Sequence, residues 1–311
     1  MNKKIAVGIL ALTMAIPATS HANIKNRTVP VPTLAILDTA LDTSIPSIKE
    51  RLVYEVCILE WTTCPNGQSF MEGPGASYLP LSSITKNGFD HGTQMASVAL
   101  AANPNRNIVF VRIIGQNINL DKQITGEKTV YSALDWVYAN KDKFNIQAVS
   151  MSLGDSNISG VGHYCPVTPK TQQSIKNLLS AEIPTFFPTG NDRNYNRINW
   201  PSCIPESFAI GAGSRNGIEL ISNSDQLLTD FYALGNTKAI YPGNVVKNAS
   251  GTSVSAQIAA SQWIVLKQSK PGYTVQQITD LIKNTSTKIN RGKKFPNSFG
   301  NLFNLDKALN G

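Results

Sequence analysis

From about residue 33 onward, short apolar runs alternate with stretches of helical period. Leu34-Ala35-Ile36-Leu37 is apolar at every position, the pattern of a strand buried on both faces. Asp90 to Ala102 (DHGTQMASVALAA) predicts a helix, closed by Asn103-Pro104 because proline cannot continue it. Ile108 to Ile114 (IVFVRII) predicts a further strand. Thr129 to Asn140 predicts a helix with Val130, Leu134 and Val137 on its apolar stripe. Ala148 to Leu153 reads as a strand ending at Gly154. Thr171 to Ala181 reads as a helix, then Thr185 to Phe187 and Phe208 to Ala212 as strands. Strands that alternate with helices predict an α/β fold: a mostly parallel central sheet between two helical layers.

That fold class predicts where chemistry sits. In open α/β sheets, sites assemble at the carboxyl ends of the strands. Asp38 follows the first strand, and Ser152, Leu153 and Gly154 close the strand begun at Ala148. Gly190 and Asn191 follow the strand at Thr185. His91 opens the helix of residues 90–102. Ser253 opens another in NASGTSVSAQIAASQWIVLK, Asn248 to Lys267. Helix starts in such folds face the same rim, so an Asp, a His, an Asn and a Ser are expected there together.

These are the groups that nucleophilic catalysis by serine requires. An alcohol is a weak nucleophile at neutral pH, and an imidazole titrating near that pH can take its proton. A carboxylate fixes the ring tautomer, and aimed donors hold the oxyanion. Ser253 is the candidate nucleophile, His91 the base and Asp38 the orienting carboxylate. The Asn191 amide and the Ser253 backbone N–H are the candidate oxyanion donors, with Gly251 leaving room for substrate. Of the other histidines, His21 lies in the leader and His163 in a loop beside Cys165. Plainer readings exist for each residue alone: Ser253 as a helix cap, Asp38 and Asn191 as turn residues. Their joint placement at one rim is what those readings do not explain.

In chain order, the segments LAILDTALD (Leu34 to Asp42), DHGTQMA (Asp90 to Ala96), SMSLG (Ser150 to Gly154), PTGND (Pro188 to Asp192) and SGTSVSAQ (Ser250 to Gln257) resemble the motifs of the subtilisin-like serine proteases, the subtilases of peptidase family S8. A tail of the family's kind appears in FGNLFNLDKAL, Phe299 to Leu309. The resemblance implies a serine endopeptidase. It also implies that peptide lies as an extended strand between Ser152-Leu153-Gly154 and the segment near Gly115. Gly190 and the residues around Gly154 would then line the pocket for the side chain before the cut bond. Three positions depart from the family pattern: Ala40 where Gly is usual, Pro188-Thr189 where small residues are usual, and Gln257 where Pro is usual. Structural calcium is common in the family, but no complete ligand set is legible, so no metal or cofactor is assigned. Rival readings are an inactive subtilase fold serving as a secreted binding protein, and an esterase using the same groups.

Composition adds a compartment. Lys3 and Lys4, the apolar run Ile5 to Ile16 and Ser20-His21-Ala22 predict a secretory signal over residues 1–22 of the 311-residue chain, leaving 23–311 as the catalytic domain. The run falls short of the about 20 residues a spanning helix needs, so no membrane association is expected after its removal. Export to the periplasm or extracellular space is the expectation. Only Asn23 to Leu37 separate the signal from Asp38, so the domain is expected to fold without a long pro-segment or with a separate helper. Four cysteines in an exported chain predict two disulfides. Of three possible pairings, the expected one joins Cys57 to Cys64, a short local loop, and Cys165 to Cys203. Absence of any CxxC argues against zinc. The net charge of +8 is spread along the chain and lacks the basic-aromatic stripe of a nucleic-acid binder. The expected partner is a peptide or protein substrate, and the expected state a monomer.

Overall fold

The computed structural model describes residues 30–86, 88–117, 122–161, 165, 168–194, 196–220, 228–291 and 299–311. The expected signal segment and His163 lie outside the described residues. Val31–Gly311 forms one unit. Its first half runs β1 (Thr33–Asp38), α1 (Pro46–Arg51), β2 (Leu52–Ile58), β3 (Phe70–Glu72), α2 (Leu81–Ile84), α3 (His91–Ala102), β4 (Asn107–Arg112), β5 (Gly115–Asn117), β6 (Lys122–Ile124), α4 (Glu127–Asn140) and β7 (Ile146–Met151). Next come β8 (Asp155–Val161), α5 (Pro169–Ser180), β9 (Thr185–Pro188), β10 (Arg197–Trp200), β11 (Phe208–Gly213), β12 (Phe231–Leu234), β13 (Asn236–Tyr241) and β14 (Val245–Ser250). The chain closes with α6 (Thr252–Ser269), α7 (Val275–Thr285), β15 (Thr287–Asn290), β16 (Phe299–Leu302) and α8 (Leu305–Asn310).

Ten strands build one sheet in the order β15-β16-β12-β11-β9-β7-β1-β4-β2-β3. Every pairing from β16 to β2 is parallel, and only the outermost strands, β15 and β3, run antiparallel to their neighbours. β1 lies between β4 and β7 with all six residues buried. Because side chains alternate across a strand, Leu34 and Ile36 enter one core and Ala35 and Leu37 the other. The first core is covered by α3 and α6, whose facing sides carry Ala96, Ala99, Ala256, Ala259 and Ala260. The second is covered by α4 and α5, through Val130, Leu134, Val137, Ile175 and Leu178. The small residues of the first face let α3 and α6 approach closely, and the Ser261 hydroxyl on α6 donates to the Ala99 carbonyl on α3 at 3.4 Å.

Both expected disulfides are formed: Cys57–Cys64 with Cα atoms 5.9 Å apart, and Cys165–Cys203 with Cα atoms 5.5 Å apart. β7 stops at Met151, two residues before its expected end. The reason lies in Ser152, whose carbonyl and hydroxyl are both taken by Ser253 on α6 and not by a sheet neighbour. Among the described residues, no helix is long and apolar enough to cross a membrane.

Candidate active site

Three adjacent strands, β1, β7 and β9, end at one rim of the sheet. Asp38 is the last residue of β1, and Leu37 pairs with Met151, so Ser152 follows beside Asp38. Gly190 and Asn191 lie just beyond β9. α3 and α6 start at the same rim and present His91 and Ser253.

Asp38 is fully buried, and its Oδ1 lies 2.8 Å from His91 Nδ1. A carboxylate oxygen can only accept, so Nδ1 carries the proton and Nε2 keeps its lone pair. The same Oδ1 accepts the Thr39 N–H at 2.7 Å. Thr39 also fixes the helix that carries His91: its hydroxyl donates to the Phe89 carbonyl at 2.8 Å and accepts the Gly92 N–H at 2.9 Å. Gly92 is glycine for space: a Cβ there would fall 2.5 Å from the Ala40 carbonyl oxygen and 2.7 Å from the Phe110 ring. Ala40, the departure at a usual glycine, is buried and has no positive φ. Asp42 ties a turn, accepting from Ser44 and, at 2.8 Å, from the Gly243 N–H.

Burial alone would lower the His91 pKa. The Asp38 carboxylate opposes it by charge and hydrogen bond, Asp90 adds its charge, and the result is a pKa above the ordinary histidine value. The ring keeps about a quarter of its surface, 26%, open to solvent, so it is reachable from the cleft.

At the mouth of α6, Gly251 is the N-cap residue, with φ +130°, and no side chain caps the helix. Ser253 is therefore not a cap: it is the second helical residue, and its hydroxyl donates to the Ser152 carbonyl at 3.0 Å. Among the described residues no hydrogen bond joins that hydroxyl to His91. The Ser152 hydroxyl returns the contact, donating to the Ser253 carbonyl at 3.1 Å. Gln257, one turn along α6 and fully buried, donates its amide to the Ser152 hydroxyl at 3.0 Å. Where proline is usual, this chain thus has a side chain that binds the nucleophile helix to the segment after β7.

Asn191 is oriented from the same helix. Its Oδ1 accepts the Thr252 N–H at 3.0 Å and the Thr252 hydroxyl at 3.1 Å. A backbone N–H cannot accept, so the amide orientation is fixed and Nδ2 is left as a donor facing away from Thr252. The Thr252 hydroxyl also accepts the Gly190 N–H at 3.3 Å. Gly251 packs against this amide, since a Cβ on it would stand 3.2 Å from Asn191 Oδ1. Thr39, Thr252 and Gln257 escape a search for nucleophiles and bases, because each acts through a partner distant in sequence.

Beside Ser152 opens a cavity of about 520 Å³, lined by Leu153 and Gly154 on one side and by Ile113, Ile114 and residues 123–127 on another. Gly115 starts β5 at that second side. Gly190 does not line this cavity. The tie from Gly190 to Thr252 holds it beside the start of α6.

The model of the subtilase family, peptidase family S8, matches residues 31–301. Among characterised proteins, the chain is 24% identical over 225 residues to an alkaline protease of Alkalihalobacillus alcalophilus, covering 69% of this chain and 54% of that protein. It is 23% identical over 225 residues to subtilisin Savinase of Lederbergia lenta, covering 69% of this chain and 77% of that one. The chain thus spans about half the length of the first of these relatives. Among solved structures, a protease from Pseudoalteromonas arctica PAMC 21717 superposes with a TM-score of 0.69 at 18% identity, covering 90% of each chain. That likeness concerns the fold alone, and it agrees with the three layers described above. The match of the family model across 31–301, nearly all of the described unit, establishes that this chain is a member of the subtilase family.

Proposed function

We propose that this protein is an exported serine endopeptidase in which Ser253 attacks a peptide carbonyl, His91 moves the proton and Asp38 holds the ring. The observation that carries the reading is the 2.8 Å contact between buried Asp38 and His91 Nδ1 at the rim where Ser253 and Asn191 also stand. In this reading the Ser253 side chain turns about Cα–Cβ, and its hydroxyl leaves the Ser152 carbonyl for His91 Nε2. Ser253 Oγ then bonds to the carbonyl carbon as its proton passes to Nε2. The carbonyl π pair moves to oxygen, where Asn191 Nδ2 and the Ser253 N–H donate to it. Collapse breaks the C–N bond, and the leaving amine takes the proton from His91. Water repeats the sequence on the acyl-serine and frees the acid.

An extended peptide then lies between Ser152-Leu153-Gly154 and the segment at Gly115, and backbone pairing along it gives peptides an advantage over simple esters. Export by a signal over residues 1–22, with substrate as the partner of a monomer, completes the proposal. Two disulfides suit an oxidising compartment.

A fluorophosphonate probe tests the reading. Native protein should label at Ser253, and Ser253→Ala and heat-unfolded protein should not. Folded native protein that neither labels nor cleaves a peptide library would return the chain to the alternative, an inactive subtilase fold that binds.

A further inference from the structure

The proposed chemistry makes no use of the loop closed by Cys57 and Cys64, seven positions apart, yet it stands against the cleft. The loop has a core of its own, in which Cys57, Leu59, Cys64 and Ala76 are buried with Met71 packed on them. The Leu59 N–H donates to the Ser69 carbonyl at 2.9 Å, and the Cys64 N–H to the Gln68 carbonyl at 2.7 Å. It is therefore a fixed feature.

Two glycines of the cleft wall are shaped to receive it. A Cβ on Gly115 would fall 2.0 Å from Thr62 Oγ1. A Cβ on Gly126 would fall 2.7 Å from the outer edge of the Trp61 indole and 2.6 Å from Glu60 Oε2. Neither glycine has a positive φ, so close approach, and not backbone freedom, is what calls for glycine there. The approach puts Trp61 into the lining of the 520 Å³ cavity, together with Leu153, Ile124, Val130 and Trp200. Leu153 is the residue after Ser152, whose carbonyl holds the Ser253 hydroxyl. Trp61 is 58% exposed. An aromatic ring left this open gains hydrophobic free energy when an apolar group covers it.

We propose that Trp61 is a specificity-determining residue: it walls the cavity so that one large apolar side chain of an extended peptide, aromatic or long aliphatic, is selected. This rests on the reading of Ser253 as nucleophile. Glu127 and Asp155 also line the cavity. The Glu127 carboxylate is engaged by the Thr171 hydroxyl at 3.4 Å, and most of the remaining lining is apolar, with Gln123, Thr125 and Thr168 its uncharged polar side chains.

The test is a cleavage profile on a peptide library with wild-type protein, Trp61→Ala and Trp61→Phe. At one peptide position, wild type should prefer Phe, Tyr or Leu over Gly. Trp61→Ala should lower that ratio of kcat/KM about 10-fold, and Trp61→Phe should keep most of it. The ratio is taken on one preparation, so the fraction of active protein cancels. An unchanged ratio in Trp61→Ala overturns the proposal, as does a wild-type preference for Lys or Arg at that position, which would give the cavity to its carboxylates. Wild-type protein that fails to react with the fluorophosphonate sinks instead the reading of Ser253 beneath it.

Discussion

Ser152 and Ser253 are joined by two hydrogen bonds, each hydroxyl donating to the other's carbonyl, at 3.1 and 3.0 Å. The pair locks the end of β7 to the start of α6, and the Gln257 amide adds a third tie at 3.0 Å. The Oε1 of Gln257 is buried without a hydrogen-bond partner among the described residues, so this side chain is a poor investment for stability alone. Gln257→Met should therefore change folding stability by no more than about 1 kcal/mol. It should nonetheless lower kcat about 10-fold, by loosening Ser152 against Ser253. In a Ser152→Ala background the same change should add little, because both substitutions remove one link. Steady-state kinetics on the three variants checks this, and strictly additive losses would refute it.

The acid limb of the pH–rate profile reports His91. Burial lowers its pKa, but Asp38 and Asp90 outweigh that and raise it, so activity should fail on acidification at a higher pH than an ordinary histidine would set. Asp90→Asn removes one raising charge and should move the limb to lower pH. The stability sign is opposite to the activity sign. Pairing of protonated His91 with Asp38 stabilises fully below the unfolded histidine pKa and is lost as pH rises through the raised folded value. Kinetics and unfolding measured across the same pH range separate the two effects.

Gly251→Ala tests the mouth of α6. Its φ of +130° disfavours any side chain, and the added Cβ would press on Asn191 at 3.2 Å. Displacing a donor to the oxyanion should lower kcat by about 100-fold with a smaller change in KM. An unaltered kcat would show that Asn191 does not need this packing.

The two disulfides should contribute unequally. Cys165–Cys203 closes a span of 38 positions and Cys57–Cys64 one of seven. By loop-closure entropy their losses should cost about 4 and about 2.5 kcal/mol, respectively. Unfolding of Cys203→Ala and Cys64→Ala beside wild type measures both.

The parallel centre of the sheet is legible because strands covered on both faces read as unbroken apolar runs, as Leu34 to Leu37 does. The edges are not. β3 is the three residues Phe70–Glu72, and β14 has Val245 and Val246 facing solvent, so neither carries a clear period. α7 carries a local signal, Thr274 three residues before Gln277, and forms the capping box it announces. In the candidate site, Asp38, His91, Asn191 and Ser253 can be read from chemistry and position. Gln257 cannot, because its partner Ser152 lies 105 positions away and neither residue reacts. Trp61 is hidden for the same reason: its neighbours Gly126 and Leu153 are assembled only by folding.

The alanine seam between α3 and α6 has a thermal consequence. His91 and Ser253 are rooted in the same tightly interlocked pair of helices, over the buried face of the sheet. Heating cannot part them without dissolving that interior. Inactivation and melting curves should superimpose, leaving no temperature interval in which an intact molecule is inert.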